Sequence, residues 1–355
     1  MTLLEVTARS FFAEMDASGA RYALLRNAEH LFDLRKENSE FISDIDLVVD
    51  SRDLTLLRRI ISSLAVENGW DAAIECDHWA RSPVRDHNIE VFRLYAKDPL
   101  VCFQVDVFHA FLTHGVPLLD ERQLLDGRER DPTLGVMRID PQQENMIRLI
   151  QIAGLADAPR KRERYRRRLI SHARDHRFAF LETLSSFLGG FAPHAVTAIQ
   201  EDDLRRAKRW TDFGRAWFFA RFALSNPVRT GGLLVHRITD QTSRFCASQC
   251  GCVGRFHAPN EETRATIRGV LDEMTAGNLI NRWTERPSSR LGIRERLEME
   301  QSSLLLRWTG ANDCDVDFRA CLSRSDVVSL LVDFLARRHK PLTASRAATG
   351  VMGYA

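Results

Sequence analysis

Ser43-Asp-Ile-Asp46-Leu-Val-Val49 is the stretch from which the fold can be read. Side chains alternate between the two faces of a strand, so Asp44 and Asp46 share one face while Ile45 and Leu47 enter the opposite layer. Two carboxylates held that close repel each other, and a divalent cation between them relieves the repulsion. A third acid stands in a similar apolar frame, Val101-Cys-Phe-Gln-Val-Asp106-Val-Phe108. An acid centred in a strand of Val and Phe is costly unless it has a partner. If the two strands are neighbours, three carboxylates converge on a site for one or two Mg²⁺ (or Mn²⁺) ions. The plainer alternative is that Asp44 and Asp46 end a loop and cap local backbone.

Outward from this segment, residues 2–17 place Leu3, Leu4, Val6, Phe11, Phe12 and Met15 on a roughly helical period, and Gly19 follows. Tyr22 to Leu25 reads as a short buried strand. Residues 54–64 read as a helix, and 73–74, 89–95 and 101–108 as further strands. A helix followed by strands with polar connections predicts an α/β or α+β mixed sheet over 1–135. The texture then changes. Asp140-Pro141 is a helix start, with a capping side chain and then Pro at the first helical position. Helical patterns at 165–170, 178–187 and 204–222 predict a helical middle domain over 136–228. Trp210, Phe213, Trp217, Phe218 and Phe222 recur at helical spacing there and read as core packing. Asn226-Pro227 and Gly231-Gly232 suggest a boundary. Residues 229–355 mix a helix at 263–274, strands at 304–308 and 316–321 and a helix at 326–337, which predicts a second α/β unit.

Length and composition agree with several domains: 355 residues, 44% hydrophobic and 28% charged, suffice for real cores. The net charge of +2 gives no global case for nucleic acid, but it hides an asymmetry. The first 130 residues carry 15 Lys+Arg against 23 Asp+Glu, and the remainder 35 against 25. Arg outnumbers Lys by 45 to 5, which reads as coding bias. No run of about 18 apolar residues and no signal-peptide pattern are present, so the expectation is a cytoplasmic chain without a membrane span. Seven scattered cysteines do not make a disulfide framework.

Three motifs carry a specific resemblance: Tyr22-Ala-Leu-Leu-Arg-Asn27, Ser43-Asp-Ile-Asp-Leu-Val-Val49 and Gln104-Val-Asp106-Val-Phe108. Together they resemble the DNA polymerase β-type nucleotidyltransferase superfamily. More narrowly, they are similar to bacterial nucleotidyltransferase-like proteins fused to thymidylate-kinase-like domains near polysaccharide biosynthesis genes. His114-Gly-Val-Pro-Leu-Leu-Asp120, the helix after Pro141 and Lys161-Arg-Glu-Arg-Tyr165 match in order, so the likeness covers roughly residues 1–225. It implies a nucleotidyltransferase-fold mixed sheet, a helical domain completing the cleft and transfer of a nucleoside monophosphate from an NTP to an acceptor hydroxyl. Asp44, Asp46 and Asp106 would be the catalytic and metal-ligating acids. Arg26, Asn27, Lys161 and Tyr165 would bind the nucleotide. Arg26-Asn27 stands where the superfamily places a Gly-Ser turn. A glycine turn lets backbone N–H groups reach a phosphate; Arg26 would have to substitute with its fork of donors.

The kinase-like partner domain of such chains carries the phosphate-binding loop Gly-Pro-Asp-Gly-Ser-Gly-Lys-Ser-Thr. Ala258-Pro-Asn-Glu-Glu-Thr-Arg-Ala-Thr266 sits in its place, with Glu261 for a Gly, Thr263 for another and Arg264 for the Lys. This degenerate P-loop predicts no ATP turnover, because two Glu side chains would repel phosphate. The alternative is that 258–267 is merely a loop entering a helix. Elsewhere, the basic run Arg160 to Arg168 reads as a solvated helix face apart from Lys161. Cys246, Cys250, Cys252 and His257 lack standard zinc spacing, Asp313, Asp315 and Asp317 read as a solvated turn, and His109 reads as an ordinary polar residue near Asp106.

Function therefore has three readings. The first is a Mg²⁺-dependent nucleotidyltransferase with an NTP donor and an acceptor that could be a sugar, small metabolite, peptide or protein, nucleic acid being less favoured. The second is a non-catalytic scaffold or binding module with both nucleotide sites eroded. The third is a metal-dependent glycosyltransferase using Asp44 and Asp46; it needs no third strand acid.

Overall fold

The computed structural model describes residues 2–26, 31, 44–76, 87–113, 115–151, 159–246, 252–276, 279–280, 283–285, 304–319 and 323–342. It opens with helix α1 (Leu3–Ala17), whose first turn is capped by Thr2 Oγ1 accepting from the Glu5 N–H at 3.2 Å. Gly19 adopts φ +72° just past its end, the left-handed conformation that glycine takes without strain. The strands β1 (Tyr22–Leu24) and β2 (Ile45–Val49) follow, then α2 (Leu54–Glu67), β3 (Ala72–Cys76), β4 (His87–Lys97), β5 (Leu100–Thr113) and β6 (Val116–Asp120). A short α3 (Glu121–Asp126), β7 (Glu129–Arg130) and β8 (Met137–Arg138) complete the first stretch.

Together with β13 (Lys340–Pro341) from the end of the chain, these strands build one mixed sheet in the order β13-β3-β4-β5-β2-β1-β8-β7, with β6 beside β5. The fold is α/β, as the sequence pattern requires. The pairing at the centre is parallel between β2 and β5, and antiparallel between β2 and β1 and between β5 and β4. One face carries Ile45, Leu47, Val49, Phe103, Val105 and Val107, and α1 and α2 cover it with Phe11, Phe12, Ile61 and Leu64. The other face carries Val48, Tyr95, Cys102 and Phe108, which belong to a second apolar cluster. The alternation read from Asp44 to Val49 is therefore a division between two layers, and the acids lie on the second.

The helical stretch covers part of that second face. It consists of α4 (Pro141–Gln151), α5 (Pro159–Asp175), α6 (Arg177–Leu188), α7 (Ala192–Gln200), α8 (Leu204–Ser225) and α9 (Pro227–Cys246). In α8 the aromatic stripe is core only in part, Trp210 and Phe218 packing against the second cluster from its edge. The buried side is the small line Ala207, Thr211 and Gly214, while Phe213 is half exposed and Trp210, Trp217 and Phe218 lie at the margin. Close approach decides this: a Cβ on Gly214 would stand 2.7 Å from Leu188 Cβ and 3.0 Å from its Cα. The aromatics instead stack along the edge, Phe191 on Trp210 and Phe187 beside Phe218. Gly231 and Gly232, read as a boundary, lie inside α9; the chain breaks at Asn226, before Pro227.

The last stretch holds β9 (Cys252–His257), α10 (Glu261–Ala276), β10 (Trp283–Glu285), β11 (Leu304–Trp308), β12 (Val316–Asp317), α11 (Arg324–Arg337) and β13 (Lys340–Pro341). Its four strands β10-β11-β9-β12 are all parallel, and their apolar side chains Phe256, Leu304, Leu306 and Val316 join the second cluster. Backbone pairing and side-chain contacts tie it to the first sheet and its helices. Strand β13 pairs antiparallel with β3, placing Lys340 opposite Glu75. The buried Arg93 of β4 donates from Nη1 to the Leu279 carbonyl at 2.9 Å. Among the described residues no helix is long and apolar enough to cross a membrane.

Candidate metal and nucleotide site

Register makes the site. The parallel pairing sets Asp46 of β2 opposite Asp106 of β5, and Ile45 opposite Val105. Asp44, two residues before Asp46, returns to the same face. The ligand oxygens of Asp44, Asp46 and Asp106 lie within 4.8 Å of one another, and the last two residues are buried, at 4% and 7% exposure. Oxygens around one Mg²⁺ at about 2.1 Å span at most about 4.2 Å, so small inward movements would close this set on one ion; two ions about 3.5–4 Å apart would also be accommodated. An all-carboxylate oxygen set suits hard cations such as Mg²⁺ and Mn²⁺.

The electrostatics point the same way. At an effective dielectric of about 20, two carboxylates 4.8 Å apart repel by about 3 kcal/mol. Burial, and next the charges of Asp44 and Asp46, push the Asp106 carboxyl well above the usual range. The pull of the Gln104 amide, which donates from Nε2 to Asp106 Oδ1 at 2.7 Å, and of Arg93 is smaller. Gln104 sits two residues before Asp106 on the same strand face; that spacing was the signal that could have identified it from sequence.

Arg26 follows β1, where the Leu25 N–H donates to the Asp46 carbonyl at 2.9 Å. Its side chain turns onto Asp46, with Nε to Oδ2 at 2.5 Å and Nη2 to Oδ1 at 2.9 Å. From the other edge, Nη1 donates to Tyr165 Oη at 3.0 Å and to Gln151 Oε1. The guanidinium carbon lies 5.8 Å from the centre of the Phe108 ring. Burial opposes the charge on Arg26, but Asp46, Tyr165 and Asp44 outweigh it and hold the group charged. Arg26, expected from sequence to face a phosphate, is thus joined to one of the three clustered acids, and Gln151 is a partner that the sequence did not suggest.

Tyr165 is fully buried on α5 and points inward. Lys161 lies one turn earlier on the same helix face, and its side chain is outside the described residues, as is Asn27. The outward part of the basic run is engaged with acids: Arg166 binds Asp202 and Glu163. The buried Arg148, near Arg26 and Tyr165, is held by Glu144 and by Asn145 Oδ1. His109 pairs with Glu90 at 3.2 Å.

At the predicted degenerate P-loop, β9 passes through residues 258–260 into α10, a strand–loop–helix order. The helix start is closed by its own side chains. Asn260 Oδ1 accepts from the Thr263 N–H at 2.8 Å and from its hydroxyl at 2.9 Å. Glu261 is bound by Arg268 at 2.6 Å and Arg264 at 3.5 Å. The acids at 315 and 317 are bound by Arg255, Arg338 and Arg319. Of the cysteine set, Cys250 lies outside the described residues, and His257 Nδ1 lies 3.1 Å from the Thr309 carbonyl. Comparison with protein-family models, with curated proteins and with solved structures finds no match for this chain.

Proposed function

We propose that this protein is a metal-dependent nucleotidyltransferase of the polymerase β-like type, moving a nucleoside monophosphate from an NTP to an acceptor hydroxyl with release of pyrophosphate. The observation that carries the proposal is the pairing of Asp46 with Asp106 across two parallel strands, with Asp44 on the same face. The three acids would hold the cation. Bound there, Mg²⁺ or Mn²⁺ would neutralise charge building on the α-phosphate. Asp106, ionised once the cation is bound, would complete its ligand set and stand beside the acceptor hydroxyl, where a carboxylate can take up a proton. Arg26 and Tyr165 border the site from β1 and α5, where a triphosphate would need donors. The likeness of Tyr22–Asn27, Ser43–Val49 and Gln104–Phe108 to that superfamily supports the same reading. The convergence of Asp106 with Asp46 is a feature that the glycosyltransferase alternative does not call for.

The scaffold reading has one observation in its favour: the Arg26–Asp46 pair satisfies Asp46 without a ligand. The two separate under one assay. Purified protein is incubated with Mn²⁺ and each NTP, and pyrophosphate release is followed with a panel of sugars, small alcohols and peptides as acceptors. Asp46→Asn is expected to lower turnover by about 10³-fold or more, the scale of losing a principal charge-stabilising group. Turnover unchanged in that variant would contradict the proposal.

A further inference from the structure

The hold of Arg26 on Asp46 deepens this reading, and rests on it. Both oxygens of Asp46 receive N–H donors from one guanidinium, at 2.5 and 2.9 Å, in a site where Asp46 is 4% exposed. A divalent cation shared with Asp106 would sit about 2.1 Å from one of those same oxygens. The guanidinium and the cation would then crowd a single buried carboxylate, with little water to screen them. The cation and the two-point guanidinium contact therefore compete for the same oxygen of Asp46.

The geometry says where Arg26 can go. Its Nη1 edge is anchored outside the acid cluster, on Tyr165 Oη at 3.0 Å and on Gln151 Oε1, and Phe108 lies 5.8 Å from it. A side chain held at that edge can release Asp46 from its Nε–Nη2 edge and still remain at the site. The freed edge is a planar pair of donors that fits two phosphate oxygens as well as it fits a carboxylate.

We propose that Arg26 is an exchangeable counter-cation: it occupies Asp46 until a divalent cation takes that carboxylate, and it then turns to the phosphates of the nucleotide that arrives with the cation. Arg26 is thereby a positioning residue that makes metal and nucleotide binding mutually dependent. Metal alone must displace Arg26 with nothing offered in return, so it binds weakly. Metal with a triphosphate gives Arg26 a new anion, so the two bind together more tightly than either does singly.

The test is Mn²⁺ binding to the full chain, read by electron paramagnetic resonance, alone and with non-hydrolysable α,β-methylene analogues of the four NTPs. Wild type is expected to bind Mn²⁺ weakly alone and at least tenfold more tightly with one analogue. Arg26→Gln is expected to bind Mn²⁺ alone at least tenfold more tightly than wild type and to lose most of the gain from the analogue. Arg26→Lys, which keeps the charge but not the two-point contact, should fall between. Arg26→Gln binding Mn²⁺ no better than wild type overturns the exchange. Should Arg26→Gln not fold, the wild type decides by its arginine Nε–H nuclear resonances. The one resonance missing in Arg26→Lys should move when Mg²⁺ and the analogue are added, and its standing still overturns the proposal. Asp46→Asn separates the two levels. If it binds Mn²⁺ as wild type does, the metal site itself is wrong and both proposals fall. If its Mn²⁺ binding is lost while Arg26→Gln gains none, only the exchange falls.

Discussion

Two places in this chain read from sequence as candidate nucleotide sites, and they arrange charge differently. On the inner face of the first sheet, β2 and β5 gather three carboxylates within 4.8 Å, two of them buried. At the start of α10, Glu261 lies outside and is paired with Arg268 and Arg264, and Arg268 also binds Glu285 of β10. Arg268 draws the Glu261 carboxyl below its usual range, whereas burial and like charges drive Asp106 upward. Like charge concentrated in a buried place destabilises a fold unless something binds there; opposite charge arranged in surface pairs is nearly neutral for stability. The first pattern gathers acids around Arg26 in a way that a bound cation would further neutralise, and the second is a surface helix start whose Glu261 is already paired.

The largest expected difference between the two places comes from deleting one acid in each. Asp46→Ala leaves the Arg26 guanidinium buried without its carboxylate and should destabilise the protein by about 3 kcal/mol or more. Glu261→Ala removes only exposed pairs and should leave the denaturation midpoint within the error of measurement. Chemical denaturation of both variants checks this, and equal midpoints would erase the contrast.

The next effect has the opposite sign. Asp106→Asn keeps the shape and removes one like charge, so with EDTA present it should stabilise by about 1 kcal/mol, a rise in Tm of about 1–2 °C for a chain of this length. The sign with pH follows from the raised carboxyl. Above the ordinary carboxylate value the native state holds a proton that the unfolded state has released, so the stability from this group falls as pH rises. That loss is complete once pH passes the folded value, and it should be absent in Asp106→Asn. Melting curves from pH 4 to 9 in EDTA measure it; a wild type no more sensitive than the variant would count against the charge cluster.

A smaller change sharpens the other side. Asn260→Ala removes the cap of α10 and should cost about 1 kcal/mol. Calorimetry with ATP and Mg²⁺ should show the same binding in this variant as in wild type. Weakened nucleotide binding would mean that the α10 start is a site after all.

Much of the first region was legible because its signals are local. Alternation placed Asp44 and Asp46 on one face, and the Val and Phe frame marked Asp106 as a buried acid. The neighbourhood of β2 and β5 was only a condition in the sequence, since more than 50 residues separate these parallel strands and no tight turn fixes their register. The target of Arg26 was not legible either: a guanidinium serves phosphate and carboxylate with the same donors, and only the fold shows that Asp46 lies in reach. The stripe in α8 was legible only in part, because aromatic spacing shows which residues share a side but not how close the neighbouring helix comes. Gly214 against Leu188 sets that distance and moves Phe213 to the surface. Strand β13 was hidden for a simpler reason: two paired residues carry no periodicity.

The central claim is that Asp44, Asp46 and Asp106 hold a divalent cation for a nucleotide. Crystals grown with Mn²⁺ and an α,β-methylene NTP analogue, with data collected at the manganese edge, test it most directly. The expected result is an anomalous peak about 2.1–2.2 Å from oxygens of all three aspartates, with the α-phosphate beside it. Ordered nucleotide elsewhere, or manganese bound at other acids with this trio bare, would contradict it.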